Sequence, residues 1–122
     1  MNTPQLHPSS SSAELDIDQV FVSWDSQALL FSGHDSSGQH YLVNFVDSDE
    51  RGDTFLYLPI SQARLAAAAS GQLSLREAFV DAEDGSVLVV RNGKLSRGVK
   101  LASSAIKSDW LPEKGVRLQA SS

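Results

Sequence analysis

Short runs of apolar residues alternate with polar ones up to about residue 58, give way to helical spacing, and then return to strand-like runs. From Ile17 to Trp24 the run IDQVFVSW is rich in β-branched and aromatic residues and stops at Asp25-Ser26, which predicts a first strand. Ala28 to Ser32 predicts a second. Gly33 to Gly38 is a turn by composition, and His40 to Asp47 predicts a third strand, paired with the second as an antiparallel hairpin. After a polar loop at Ser48 to Asp53, the run Thr54-Phe55-Leu56-Tyr57-Leu58 is apolar almost throughout. Such a strand is expected in the middle of the sheet or buried on both faces.

Pro59 lacks the N–H a ladder needs and ends that strand, and Ser61 is placed to cap an alanine-rich helix from Gln62 to Ser70, with Gly71 closing it. Ser74-Leu75-Arg76-Glu77 has the capping-box pattern, so a second short helix is expected from Leu75 to about Val80. Asp81 to Gly85 reads as a loop. Val87 to Val90 and Leu95 to Leu101 then flank Asn92-Gly93, the signature of a two-residue hairpin turn, which would set Val90 opposite Leu95 and Arg91 opposite Lys94. Trp110-Leu111-Pro112 is expected to fold back on the sheet as a clasp. The fold class expected is α+β: an antiparallel sheet of about six strands, with two short helices inserted after the fourth. Leu56, Leu58, Leu75, Phe79, Val89 and Leu95 are expected in one core. Residues 1–13, rich in Pro and Ser, read as a disordered tail, 14–118 as a single domain and 119–122 as a second tail.

With 122 residues, 41% of them hydrophobic, the chain suits one domain and excludes a multidomain enzyme. It has no cysteine, which removes disulfides, thiolate metal sites and thiol nucleophiles together. No apolar run approaches the roughly 18 residues of a membrane span, and the N-terminus lacks the basic-then-apolar layout of a signal peptide. A cytoplasmic protein is therefore expected. The net charge of −5 is unevenly placed: residues 1–90 hold 13 acids and 3 bases, residues 91–122 hold 2 acids and 7 bases. No Lys or Arg precedes Arg51, so the first half cannot neutralise phosphates, and direct nucleic-acid or membrane binding is not expected.

Motifs for catalysis are missing. Asp47, Asp49 and Gly52 copy the start of a calcium-binding EF-hand loop, but Arg51 and Leu58 stand where further oxygen ligands are needed. His34, Asp35 and His40 bracket a turn without the third ligand that a transition-metal site requires. No serine lies in a Gly-x-Ser-x-Gly elbow, and no glycine-rich phosphate loop occurs. No metal and no cofactor are expected.

Gly38-Gln39-His40-Tyr41-Leu42, Gly52-Asp53-Thr54-Phe55-Leu56-Tyr57-Leu58-Pro59-Ile60-Ser61, Ser74-Leu75-Arg76-Glu77-Ala78 and the terminal Leu111-Pro112 with Gly115-Val116-Arg117-Leu118 together carry a resemblance. Over about residues 17–118 the chain resembles an uncharacterised bacterial family, catalogued as a domain of unknown function. The resemblance implies a compact bacterial domain and brings no catalytic residues with it. The reading favoured is a non-catalytic protein-binding module of a bacterial cytosolic system: a regulator, an immunity-type protein or an assembly subunit. Its partner would be a protein with a basic surface, met through Asp47, Asp49, Glu50, Asp53, Glu83 and Asp84. The alternatives are an acidic mimic or modulator of nucleic-acid-binding proteins, and a small-ligand binder or enzyme using the His34/Asp35/His40 or Asp47/Asp49/Asp53 loops.

Overall fold

Six strands hydrogen-bond in chain order, each antiparallel to the next, in a computed structural model that describes residues 15–92, 94, 95 and 98–118. They are β1 (Asp16–Trp24), β2 (Gln27–His34), β3 (His40–Asp49), β4 (Gly52–Pro59), β5 (Ser86–Arg91) and β6 (Val99–Ala102). Two helices, α1 (Gln62–Ala69) and α2 (Leu75–Val80), are inserted after β4. The expectations for tails at 1–13 and 119–122 lie outside the described residues, as does Gly93.

Local chemistry starts both helices. The Ser61 hydroxyl accepts from Arg64 N–H at 3.2 Å, and the Ser74 hydroxyl accepts from Glu77 N–H at 3.2 Å while donating to the Glu77 carboxylate at 2.8 Å. Successive residues of β3 and β4 point to opposite faces, and both faces are apolar. Leu42, Leu56 and Leu58 join Leu30, Ile60, Leu75, Ala78, Phe79, Val87 and Ile106 on the helix side, where Val89 also packs. Tyr41, Val43, Phe55 and Tyr57 join Leu15, Phe31 and Val90 on the other. The core expectation is corrected on one residue: Leu95 packs in this second cluster, across the sheet from Leu56 and Phe79.

Two hairpins depart from expectation. The stretch from Ser48 to Asp53 is not an open loop, because Ser48 pairs with Asp53 and Asp49 with Gly52, leaving Glu50-Arg51 as the turn. Polar residues extend the ladder there: the Ser48 hydroxyl donates to Asp53 at 2.9 Å, Asp49 accepts from Arg51 N–H at 2.8 Å, and a bulge between Phe45 and Asp47 adjusts the register. The β5–β6 connection is also longer than two residues. Val87 pairs with Leu101 and Val89 with Val99, so neither Val90–Leu95 nor Arg91–Lys94 is a ladder pair. Asn92, at φ 53°, turns the chain as expected, with Lys94 N–H donating to Arg91 C=O at 3.0 Å. A further backbone bond, from Gly98 N–H to Leu95 C=O at 2.9 Å, lies between this turn and β6. The Asn92 side chain is bound to the β3–β4 tip as well, accepting from Asp53 N–H at 3.0 Å and donating to Arg51 C=O at 3.2 Å.

The C-terminal clasp docks on the helix corner. Leu75 N–H donates to Val116 C=O at 2.9 Å, Arg117 donates to the carbonyls of Gly71 and Gln72, and Arg76 donates to Pro112 C=O. Trp110, Leu111 and Leu118 pack against the helix-side core. Gly71, at φ 85°, permits the approach, since a Cβ there would collide with Leu118 C=O.

Candidate functional site

The antiparallel order puts the β1–β2 and β3–β4 turns at one end of the sheet. Asp25 and Ser26 both take left-handed backbone, φ 51° and 67°, which gives β1 and β2 a tight hairpin turn. Gln27, just after it, donates to the Asp53 carboxylate at 3.2 Å and ties this turn to the β3–β4 tip. Asp25, Asp47, Asp49, Glu50 and Asp53 thus share one end with Arg51 and Arg91, and Arg91 lies 3.7 Å from Asp49. Trp24, the last residue of β1, stands at this end with 76% of its surface exposed. Val20, 47% exposed, and Val22 are further exposed apolar residues of the same edge strand, where register shifts between Val20 and Val22 and between Val22 and Ser23 break the alternation of faces.

Of the six acids singled out from sequence, four lie at this end and two do not. Glu83 and Asp84 precede Ser86, whose strand runs from the opposite end, beside Pro59. Their carboxylates are engaged locally: Glu83 accepts from Ser61 N–H at 2.7 Å and Asp84 from Ser86 N–H at 3.3 Å. That bond from Ser61 holds the Glu83 carboxyl below its ordinary value of 4.5. Reading from sequence missed Trp24 as a surface feature, because its position beside the acidic tip depends on the Gln27–Asp53 contact.

The histidines form a different group at the other end. His34 and His40 are cross-strand partners with ring centroids 5.8 Å apart, but Asp35 does not join them. It accepts from Ser37 N–H, the Ser37 hydroxyl, Gln39 N–H and the Tyr41 hydroxyl, and the Ser37 hydroxyl bond leads in lowering its pKa. Burial, with this bond to Asp35, pushes the Tyr41 hydroxyl up to about 12. The acids that face the imidazoles come from β1. His34 Nδ1 donates to Asp18 at 3.0 Å, its Nε2 lies 3.6 Å from Asp16, and His40 Nδ1 lies 3.8 Å from Asp18. Gln62 of α1 donates to His40 Nε2 at 3.0 Å. The hydrogen bond to Asp18 raises the His34 pKa above 6.5.

A carboxylate-oriented imidazole can serve as a general base, yet His34 turns its second nitrogen to Asp16 rather than to a hydroxyl or thiol. Among the described residues, no group of three or more His, Cys, Asp or Glu side chains is placed to hold a metal ion. Asp47 and Asp49 lie within strand β3, and Asp53 is engaged by Ser48 and Gln27. No helix among the described residues is long and apolar enough to cross a membrane.

Neither the curated proteins nor the solved structures include a match to this chain. A family model covers residues 10–122, nearly the whole length, and so the chain that folds into this six-stranded meander with two inserted helices belongs to the family of unknown function DUF6575.

Proposed function

We propose that the chain is a non-catalytic protein-binding module of the bacterial cytoplasm, and that it meets a partner with a basic surface at the turn end of its sheet. The carrying observation is Trp24, 76% exposed at the end of the sheet that also carries five carboxylates, where its strand partner Gln27 bonds to Asp53. Exposed tryptophan is costly to leave in water and is enriched among the anchors of protein interfaces, while surrounding charges select and steer the partner. Val20 and Val22 of the same edge strand are exposed as well. The separation of Glu83 and Asp84 from the other acids favours a local contact over the extended line of negative charge that a nucleic-acid mimic presents.

The experiment is capture of the partner from native-host lysate with the wild-type chain, Trp24→Ala and Glu50→Lys in parallel. A basic protein retained by the wild type and lost by both variants is the expected result. Retention unchanged by both substitutions overturns this interface.

A further inference from the structure

Two basic residues near the C-terminus, Lys114 and Arg117, lie apart from that interface and line a cleft. Lys114, Gly115 and Arg117 face Ser74, Arg76 and Glu77 of the α2 region across a cavity of about 300 Å³. The depression is open to solvent, so a ligand there would be held by charge rather than by enclosure. Backbone carbonyls position two of the cations: Arg76 donates to Pro112 C=O at 2.9 Å, and Arg117 to Gly71 and Gln72 C=O at 2.9 Å. These bonds restrict the guanidiniums before any ligand arrives, so binding loses less side-chain entropy. Lys114 makes no hydrogen bond or ion pair among the described residues and brings an uncommitted charge. The Ser74 hydroxyl is engaged with Glu77, and Glu77 is the cleft's one acid.

We propose that this cleft binds a phosphoryl dianion carried by a small molecule. Three cations against one carboxylate leave two positive charges in the lining. A phosphoryl group above about pH 7 carries close to two negative charges, whereas a carboxylate carries one. Guanidinium forks and an ammonium are also the side chains that phosphoryl oxygens are bound by elsewhere in proteins. The chain's net charge is −5, so a positive lining runs against its overall balance. The ligand would join the C-terminal segment to the helix corner, reinforcing the Leu75–Val116 bond.

The test is a titration of the ¹⁵N-labelled chain with inorganic phosphate and with glycerol 3-phosphate, against sodium chloride at equal ionic strength. Saturable shifts centred on Gly115 and Arg76 are expected, with glycerol 3-phosphate binding at least as tightly as inorganic phosphate. Lys114→Gln should weaken binding about tenfold or more, since a hydrogen bond to a charged group is lost, and Lys114→Arg should restore it. Lys114 is exposed and makes no such bonds, so both variants keep the fold, verified by unchanged spectra elsewhere. Shifts that never saturate, that match those in chloride, or that persist in Lys114→Gln overturn the site. Equal binding of acetate overturns the selection for a dianion. Binding of a phosphoserine peptide but not of glycerol 3-phosphate overturns the small-molecule ligand.

Discussion

Asp53 and Asn92 hold one another through two reciprocal hydrogen bonds: Asp53 N–H donates to the Asn92 side chain at 3.0 Å, and Asn92 N–H donates to Asp53 C=O at 2.8 Å. Asn92 also reaches Arg51 C=O, and Gly52 lies so close beneath it that any Cβ there would collide with the amide. Asn92→Gly keeps the left-handed backbone and loses only the side-chain bonds, at about 0.5–1.5 kcal/mol each. Asn92→Ala loses those bonds and adds the strain of φ 53°, so it should be the less stable of the two in urea denaturation. Equal midpoints for the two variants would mean that the backbone relaxes and the positive φ carries no cost.

Legibility from sequence followed the range of the interactions. The starts of α1 and α2 depend on Ser61 and Ser74 and on residues three positions ahead, all visible in a short window. The hairpin of β2 and β3 was legible as well, because its turn is short and each strand has its own apolar run. The β5–β6 register was not: the turn at Asn92 forms, but Gly98 N–H bonds back to Leu95 C=O before β6 begins, and the hold of Asp53 and Arg51 on the Asn92 side chain spans 39 and 41 positions. The histidine group shows the same limit: Asp18 meets His34 because β1 pairs with β2, and no spacing rule connects them. Asp35, the acid next in sequence, is turned away by its own loop.

The core divides stability between two faces. Phe79→Ala should cost about 3–5 kcal/mol and Leu56→Ala about 2–5 kcal/mol, as both are wholly buried on the helix side. Leu95 belongs to the cluster across the sheet, so Leu56→Ala and Leu95→Ala should add to within about 0.5 kcal/mol in chemical denaturation. Strong coupling between them would place Leu95 back in the helix-side core.

His34 makes stability fall as pH rises near neutrality. Its pKa is raised from 6.5, chiefly by the hydrogen bond to Asp18, with Coulombic help from Asp18, Asp16 and Asp35. A raised value means the folded chain holds the proton more tightly than the unfolded one. The contribution is present in full below 6.5 and is lost as pH climbs through the raised value. Asp35, Glu77 and Glu83 work in the opposite direction: their lowered values stabilise the fold above the ordinary carboxylate range, and that stabilisation is lost as pH falls through the lowered values. Thermal midpoints measured across pH should show a decline above 6.5 that His34→Gln abolishes. Persistence of the decline in that variant would assign it to another group.

The last expectation concerns how the acidic end meets its partner. Exposed charges act over about 8–10 Å at ordinary salt and fade as salt rises, so the association rate should drop steeply with ionic strength while dissociation changes less. The variant must spare the acids that hold structure. Asp53 receives bonds from Ser48 and Gln27, and Asp49 receives Arg51 N–H and lies near Arg91, so reversing either would disturb the hairpins as well as the field. Glu50 and Asp25 sit in turns and are exposed, which makes Asp25→Lys with Glu50→Lys the cleaner reversal. This double variant should slow association by about tenfold, within the range that electrostatic steering spans. Its melting behaviour should hardly change, because exposed charges contribute little to stability. Trp24→Ala should act on the other rate, accelerating dissociation, since an anchor that buries apolar surface matters after contact rather than before it. A salt-independent association rate, unchanged by the charge reversals yet with dissociation still accelerated in Trp24→Ala, would leave Trp24 and the exposed apolar residues of β1 as the contact and remove the acidic tip from it.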